Sequence, residues 1–185
     1  MKYSDFTVLR SELCGVRIQP VWQEVWATIT KEFSDIPDLS TMTRITLRLV
    51  LAAFLGGMLG YERELKARSA GVRTHMLVAV GAALFVIGPL QSGMPTPDMS
   101  RVLQGIVQGI GFLGAGAIII RAAEQKVQGL TTAANIWATA GIGIVAGLGL
   151  EATAVLATVI VLIILAVIPR ILPSSASHSG AQEGQ

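Results

Sequence analysis

Residues 132–168 read TAANIWATAGIGIVAGLGLEATAVLATVIVLIILAVI. One charge, Glu151, interrupts the run, and it follows a Gly-Leu-Gly-Leu stretch that punctuates a turn. Two apolar segments, Thr132–Leu150 and Ala152–Ile168, therefore meet at a tight corner. The second is rich in Val, Ile and Leu, carries no charge, and is stopped by Pro169-Arg170. Working outward toward the N-terminus, three more apolar segments appear: Val102–Ile120, His75–Leu90 and Ile45–Tyr61. The last of these has 17 residues. At ~1.5 Å per residue it makes roughly 26 Å of helix, near the ~30 Å hydrocarbon core of a bilayer.

The composition agrees. The 185 residues are 52% hydrophobic and only 14% charged, against about 25% charged in an average soluble domain. Mean hydropathy is +0.62. The charges are uneven: 12 of the 26 lie in residues 1–48, and only Arg121, Glu124, Lys126, Glu151 and Arg170 fall between Val102 and Arg170. The fold class is an all-α polytopic membrane helix bundle, with five transmembrane helices and an N-terminal amphipathic helix. The net charge of +2, with no basic block, gives no footing for nucleic acid. Cys14 is the single cysteine, so no internal disulfide forms. The first residues lack the continuous apolar core of a secretory signal, and no cleaved leader is expected.

Three parts follow. Residues 1–42 form an N-terminal arm, 43–170 a five-span membrane domain, and 171–185 a polar tail expected to be disordered. Within the arm, residues 21–33 place Val21, Trp22, Val25, Trp26, Ile29 and Phe33 on one helical face. Two tryptophans on such a face suit a helix lying among lipid headgroups; packing against the bundle is the equal alternative. Ser40 or Thr41 is expected to cap the first span. Lys and Arg placement sets orientation. Arg63, Lys66, Arg68, Arg73, Arg121, Lys126 and Arg170 must share one side, which predicts N-terminus out and C-terminus in. The two hairpins that carry basic loops also resemble one another. Each runs from a glycine-rich span through charge into Gly-apolar-x-Thr, at Gly71–Thr74 and Gly129–Thr132. Tandem duplication would explain this, and so would chance.

Small residues recur at four-residue spacing: Gly56 and Gly60, Gly105 and Gly109, Gly143 and Gly147, with Gly111, Gly114 and Gly116 thickening the third span. Such faces let helix backbones approach closely where lipid removes the hydrophobic drive. Helix packing is the structural reading, and a thin wall beside a permeation path is the alternative. Gly109–Gly114 matches G-x-G-x-x-G, but it lies inside an apolar span without a strand–helix–strand frame, so it is not a dinucleotide site. No catalytic motif or histidine-based metal cage is present, and no cofactor is implied.

The ionisable and polar residues near the membrane define a candidate cluster. Arg48 snorkels outward from the first span. Glu62, Arg63 and Glu64 end that span, and Arg73, Thr74 and His75 open the second at the same depth. Thr132 and Asn135 lie at the matching end of the fourth span. Asp98 and Arg101 form a polar corner on the opposite side, and Gln104 and Gln108 share a face of the third span. Polar side chains in hydrocarbon must find partners and face the bundle. Individually they serve as interhelical glue. Together, acids and bases at one rim suit a functional site.

These residues carry a resemblance. GGMLGYERELKARSAGVRTHMLVAVGAALF (56–85), DMSRVLQGIVQGIGFLGAG (98–116) and VQGLTTAANIWATAGIGIVAGLG (127–149) resemble the signatures of the MgtC/SapB family of bacterial inner-membrane proteins, over about residues 44–170. The motif positions are Glu62, Arg63, Glu64, Gly71, Arg73, Thr74, Asp98, Arg101, Gly111, Gly114, Gly116, Gly129, Leu130, Thr132 and Trp137. The resemblance implies five spans with a cytoplasmic C-terminus, a link to growth under magnesium limitation and, in pathogens, to survival inside host cells. It further implies a regulatory, non-enzymatic role exerted through other integral membrane proteins, with a magnesium transporter or channel subunit as the alternative. The lipid bilayer is the implied surroundings, and a homo-oligomer is a further expectation. Founding-type members place Asn at the position of His75 and Cys at Ala138. They also carry a soluble C-terminal domain, so this sequence resembles a short form.

Overall fold

The computed structural model describes residues 21–32, 34, 38–122 and 129–171. Residues 1–20, Phe33, residues 35–37, residues 123–128 and those from 172 on lie outside the described residues. Among the described residues all regular structure is helical: α1 (Val21–Glu32), α2 (Leu39–Leu65), α3 (Val72–Gln91), α4 (Thr96–Ala122), α5 (Leu130–Gly147) and α6 (Glu151–Ile171). The fold is all-α, and α2 to α6 are each long and apolar enough to cross a membrane. Helix α1 exposes the apolar face of Val21, Trp22, Val25, Trp26 and Ile29.

Helix ends depart from the apolar segments for local reasons. Helix α2 starts earlier than the apolar run because Asp38, not Ser40 or Thr41, is the cap: its Oδ1 accepts the Thr41 N–H at 3.1 Å. It also runs past Tyr61 to Leu65, since a helix continues into polar sequence once its backbone bonds are made. Helix α5 stops at Gly147 rather than Leu150. Gly149 adopts φ +82°, and the Leu148, Gly149 and Leu150 N–H groups turn back onto Ile144, Ala146 and Val145 carbonyls. That left-handed residue makes the corner with α6.

The core is built from small residues. Helix α3 presents Ala79 and Ala83, both fully buried, to two glycine faces at once. A Cβ on Gly56 of α2 would lie 2.6 Å from the His75 carbonyl oxygen, and one on Gly60 would lie 2.6 Å from the Val72 Cα. A Cβ on Gly143 of α5 would run into the Ala79 carbonyl, and one on Gly147 would lie 2.8 Å from the Ala83 carbonyl oxygen. Around this pinch Leu55, Leu59, Ile87, Ile142, Ala146, Ala154 and Leu165 close one apolar cluster across α2, α3, α5 and α6. Helix α4 joins through a smaller cluster of Ile106 with Ala82, Val86 and Ala140. Only 6% of its apolar stretch is buried, against 50% of α5. Helix α5 is thus the centre and α4 the periphery.

Candidate functional site

The α2–α3 corner assembles most of the polar residues. Helix α2 overruns its apolar stretch by one turn, which carries Glu62, Arg63 and Glu64 beyond Tyr61. Glu64 Oε2 accepts the Val72 N–H at 3.0 Å. A carboxylate from the preceding helix thereby satisfies an open donor at the α3 N-terminus, where the helix dipole favours negative charge. A Cβ on Gly71 would sit 2.8 Å from the same oxygen, so a larger residue there would require the carboxylate to shift.

The Gly71 carbonyl accepts two bonds from His75: one from its backbone N–H at 3.3 Å, the other from its ring Nδ1 at 2.8 Å. A carbonyl only accepts, so Nδ1 carries the proton. Nε2 then accepts from Asn135 Nδ2 at 2.8 Å. Both rings of contact are closed with the neutral imidazole, and His75 is fully buried. Asn135 Oδ1 is buried and has no hydrogen-bond partner among the described residues. The chain of bonds Glu64–Val72, Gly71–His75 and His75–Asn135 therefore joins α2, α3 and α5.

Arg63 is 3% exposed. Its Nη1 lies 3.8 Å from Glu62 Oε2, while Nε and Nη2 have no hydrogen-bond partner among the described residues. The other Glu62 oxygen pairs with Lys66 Nζ, one helical turn on. Lys66 Nζ also donates to the Leu165 carbonyl of α6 at 2.6 Å. Buried charge is retained where it is paired, and here Glu62 stands between two cations.

The other residues singled out from sequence lie elsewhere. Arg73 and Thr74 are exposed on the first turn of α3 and do not join the His75 chain. Thr132 is buried one turn before Asn135. Asp98 and Arg101 are exposed near the start of α4, which by connectivity is the other end of the bundle. Among the glycines, Gly56, Gly60, Gly143 and Gly147 press on α3, and a Cβ on Gly114 would lie 3.6 Å from the Ala133 Cβ. Gly105, Gly109, Gly111 and Gly116 meet nothing within 4 Å. Gly105 and Gly109 instead floor an apolar groove of about 640 Å³ between α3 and α4. Among the described residues no three His, Cys, Asp or Glu side chains converge as a metal-binding group.

Comparison with known proteins gives these motifs a family. The MgtC family profile matches residues 49–172. The chain belongs to the MgtC family. Similar members include YhiD of Escherichia coli (strain K12), named as a candidate magnesium transporter, 41% identical over 128 residues covering 65% of this chain and 59% of YhiD. SrpB of Synechococcus elongatus is 43% identical over 65% of this chain and 72% of its own length. MgtC of Salmonella typhimurium (strain LT2) is 45% identical over 63% of this chain and 48% of its own length. The chain thus spans about half to three quarters of these relatives. No solved structure matches. Within the MgtC family frame this is a multi-pass membrane protein.

Two site residues escaped the sequence reading. Arg48 does more than snorkel: Nη1 donates to the Gly147 carbonyl at 3.2 Å, and Nε lies 3.8 Å from Glu151. It clamps the α5–α6 corner from α2. The signal was the lone acid Glu151 beside a glycine turn, which calls for a cation. Lys66 read as a loop residue, yet its i−4 partner Glu62 and the proline four residues after Leu165 both pointed to its bonds.

Proposed function

We propose that this protein is a non-enzymatic regulator in the bacterial inner membrane, linked to magnesium or divalent-cation homeostasis and acting by contact with other membrane proteins. One observation carries the choice of regulator over carrier. The acids at the α2–α3 corner are already engaged: Glu64 caps α3 from α2, and Glu62 sits between Arg63 and Lys66 beside it in sequence. A carboxylate committed to a backbone donor or to two cations is a poor ligand for a passing dication, whose hydration it must partly replace. The Glu64–Val72, His75–Asn135 and Lys66–Leu165 bonds tie α2, α3, α5 and α6 together at one end, so a change there moves several helices at once. The basic residues Arg63, Lys66, Arg68, Arg73 and Arg170 support a cytoplasmic corner, with the N-terminus outside and the C-terminus inside.

The alternative reading, a magnesium transporter or channel subunit, is favoured by the name given to the E. coli relative. Magnesium retains several waters and is held by as few as one or two carboxylates, and Glu62 is mostly buried at the membrane rim. Purified protein in liposomes loaded with a magnesium-sensitive dye separates the two. The regulator reading expects the flux of empty liposomes. A robust flux abolished by Glu62→Gln would establish transport and overturn it.

A further inference from the structure

Helix α1 lacks a surface to pack on. None of its 12 residues is buried, and an isolated helix of that length is marginal in water. At ~100° per residue, Val21, Val25, Ile29, Trp22 and Trp26 fall within an arc of roughly 140°, and all five are exposed. Gln23, Ala27 and Lys31 run along the opposite side. Thr28 and Thr30 stand at the two margins. Each returns its hydroxyl to its own helix, 2.7 Å from the Glu24 and Trp26 carbonyls respectively. Glu32 lies toward the apolar side only as the last residue, where a carboxylate can reach water past the helix end. Ser34 closes that end: its N–H and its hydroxyl both donate to the Lys31 carbonyl, at 3.1 and 2.8 Å.

We propose that α1 lies flat in the headgroup region of the bilayer, apolar face down, as an anchor that recognises the zwitterionic lipid–water interface. Three observations select lipid as the occupant of this face. The first is the tether. Leu39, the first residue of the membrane-length helix α2, follows Glu32 by seven residues. Even fully extended, that stretch reaches about 25 Å, so α1 stays beside the plane where α2 enters the membrane. Its 12 residues make about 18 Å of helix, too short to cross a ~30 Å hydrocarbon core, so it lies along the membrane rather than through it. The second is the pair of indoles. Trp22 and Trp26 are 75% and 62% exposed. A ring with an apolar body and one N–H donor suits the level of the lipid carbonyls and phosphates, which accept. The third is charge. Helix α1 carries Glu24 and Glu32 against Lys31, so it lacks the basic polar face by which many surface helices seek anionic lipid. Apolar area and indoles supply the attraction. By connectivity the anchor belongs to the end of α2 opposite Glu62 and Glu64.

Spin-label accessibility on the full chain in nanodiscs tests this. In a Cys14→Ser background, nitroxides are attached one at a time at Val25→Cys and Ile29→Cys on the apolar arc, and at Gln23→Cys and Ala27→Cys on the opposite side. All four positions are exposed, so folding is not at issue. Oxygen concentrates in lipid and a nickel chelate in water. The oxygen-to-nickel accessibility ratio should therefore be roughly tenfold higher on the arc than opposite it. The contrast should persist within about twofold between pure phosphatidylcholine and a mixture with phosphatidylglycerol. Trp22→Ser combined with Trp26→Ser should lower the ratio at position 25 roughly tenfold. Equal nickel access on both sides would put α1 in water. Low access to both reagents on the arc would put it against protein, whether the bundle or a second copy. A contrast seen only with phosphatidylglycerol would mean recognition of anionic lipid. Each of these three results would overturn the proposal. None of them bears on the flux assay, so the functional reading and this one can fail separately.

Discussion

Replacing Lys66 tests how the C-terminal ends of α2 and α6 are joined. Pro169 lies inside α6 and has no N–H. The Leu165 carbonyl, four residues earlier, therefore lacks its helical donor. Lys66 Nζ supplies one at 2.6 Å from a different helix. A hydrogen bond from a charged donor contributes about 1.5–3 kcal/mol. The Lys66 side chain is 38% exposed, and water competes for it, which puts the loss near the lower end. Lys66→Met also removes the pairing with Glu62, worth up to about 1 kcal/mol at a partly exposed site. The single variant should then cost about 2 kcal/mol. Pro169→Ala restores an N–H to α6 and closes the Leu165 carbonyl from within. In that background Lys66→Met loses only the Glu62 pairing and should cost about 1 kcal/mol. The coupling of about 1 kcal/mol is roughly a fivefold difference in the folding equilibrium. The assay is reversible unfolding in mixed micelles over increasing SDS mole fraction, followed by far-UV circular dichroism for the four proteins of the cycle. Costs that add within about 0.3 kcal/mol, or a larger loss in the Pro169→Ala background, would refute the account of Lys66 as the donor that proline removed.

Two substitutions probe the rest of the bundle in the same unfolding assay. Gly143→Ala drives a Cβ into the backbone of Ala79 on α3 and should destabilise by about 1–3 kcal/mol. Gly141→Ala on the same helix meets nothing within 4 Å and should gain up to about 1 kcal/mol from helix propensity; equal effects at the two sites would contradict the packing described. Asn135→Leu leaves His75 Nε2 buried without its donor and should cost about 1–3 kcal/mol. Nitrogen-15 spectra of the wild type should place the imidazole proton on Nδ1, and a proton found on Nε2 would break the assignment of the Gly71 bond.

The helices were legible because lipid imposes a simple condition: each crossing needs a long apolar run, and Ile45–Tyr61 or Ala152–Ile168 meets it by composition alone. Their ends were less so. The stop at Gly147 depends on the positive φ of Gly149, and the start of α2 on which of Asp38, Ser40 and Thr41 holds the N–H. The three Gly-xxx-Gly pairs show the limit of pattern reading. Gly56/Gly60, Gly105/Gly109 and Gly143/Gly147 look alike in sequence, yet two press on α3 and the middle pair lies in an open groove. Spacing shows that a face is small; only the arrival of another helix decides whether it is packed. The candidate site divides in the same way. Sequence placed His75 and Asn135 at one depth, but depth does not give azimuth. Arg73 and Thr74, the two residues before His75, are exposed while His75 is buried.

The bonds at the α2–α3 corner and the loose seating of α4 belong to one argument. Glu64, His75 and Asn135 join α2, α3 and α5, while Lys66 and Arg48 tie α2 to α6 and to the α5–α6 corner. Among the described residues no side-chain hydrogen bond or ion pair joins α4 to another helix, and its apolar stretch is scarcely buried. In lipid, where apolar surface alone gives little preference for protein over acyl chain, helices without polar ties or close small-residue contacts are held least firmly. Helix α4 meets α5 through small residues, Gly114 against Ala133 and Ala117 against Gly129, so it is held by packing at one end and by no polar tie among the described residues. It also carries Gln104 and Gln108 exposed on its outer face. A frame of four helices joined by polar bonds, with a fifth helix outside those bonds, is an arrangement in which one element can shift without breaking the bonds that hold the rest.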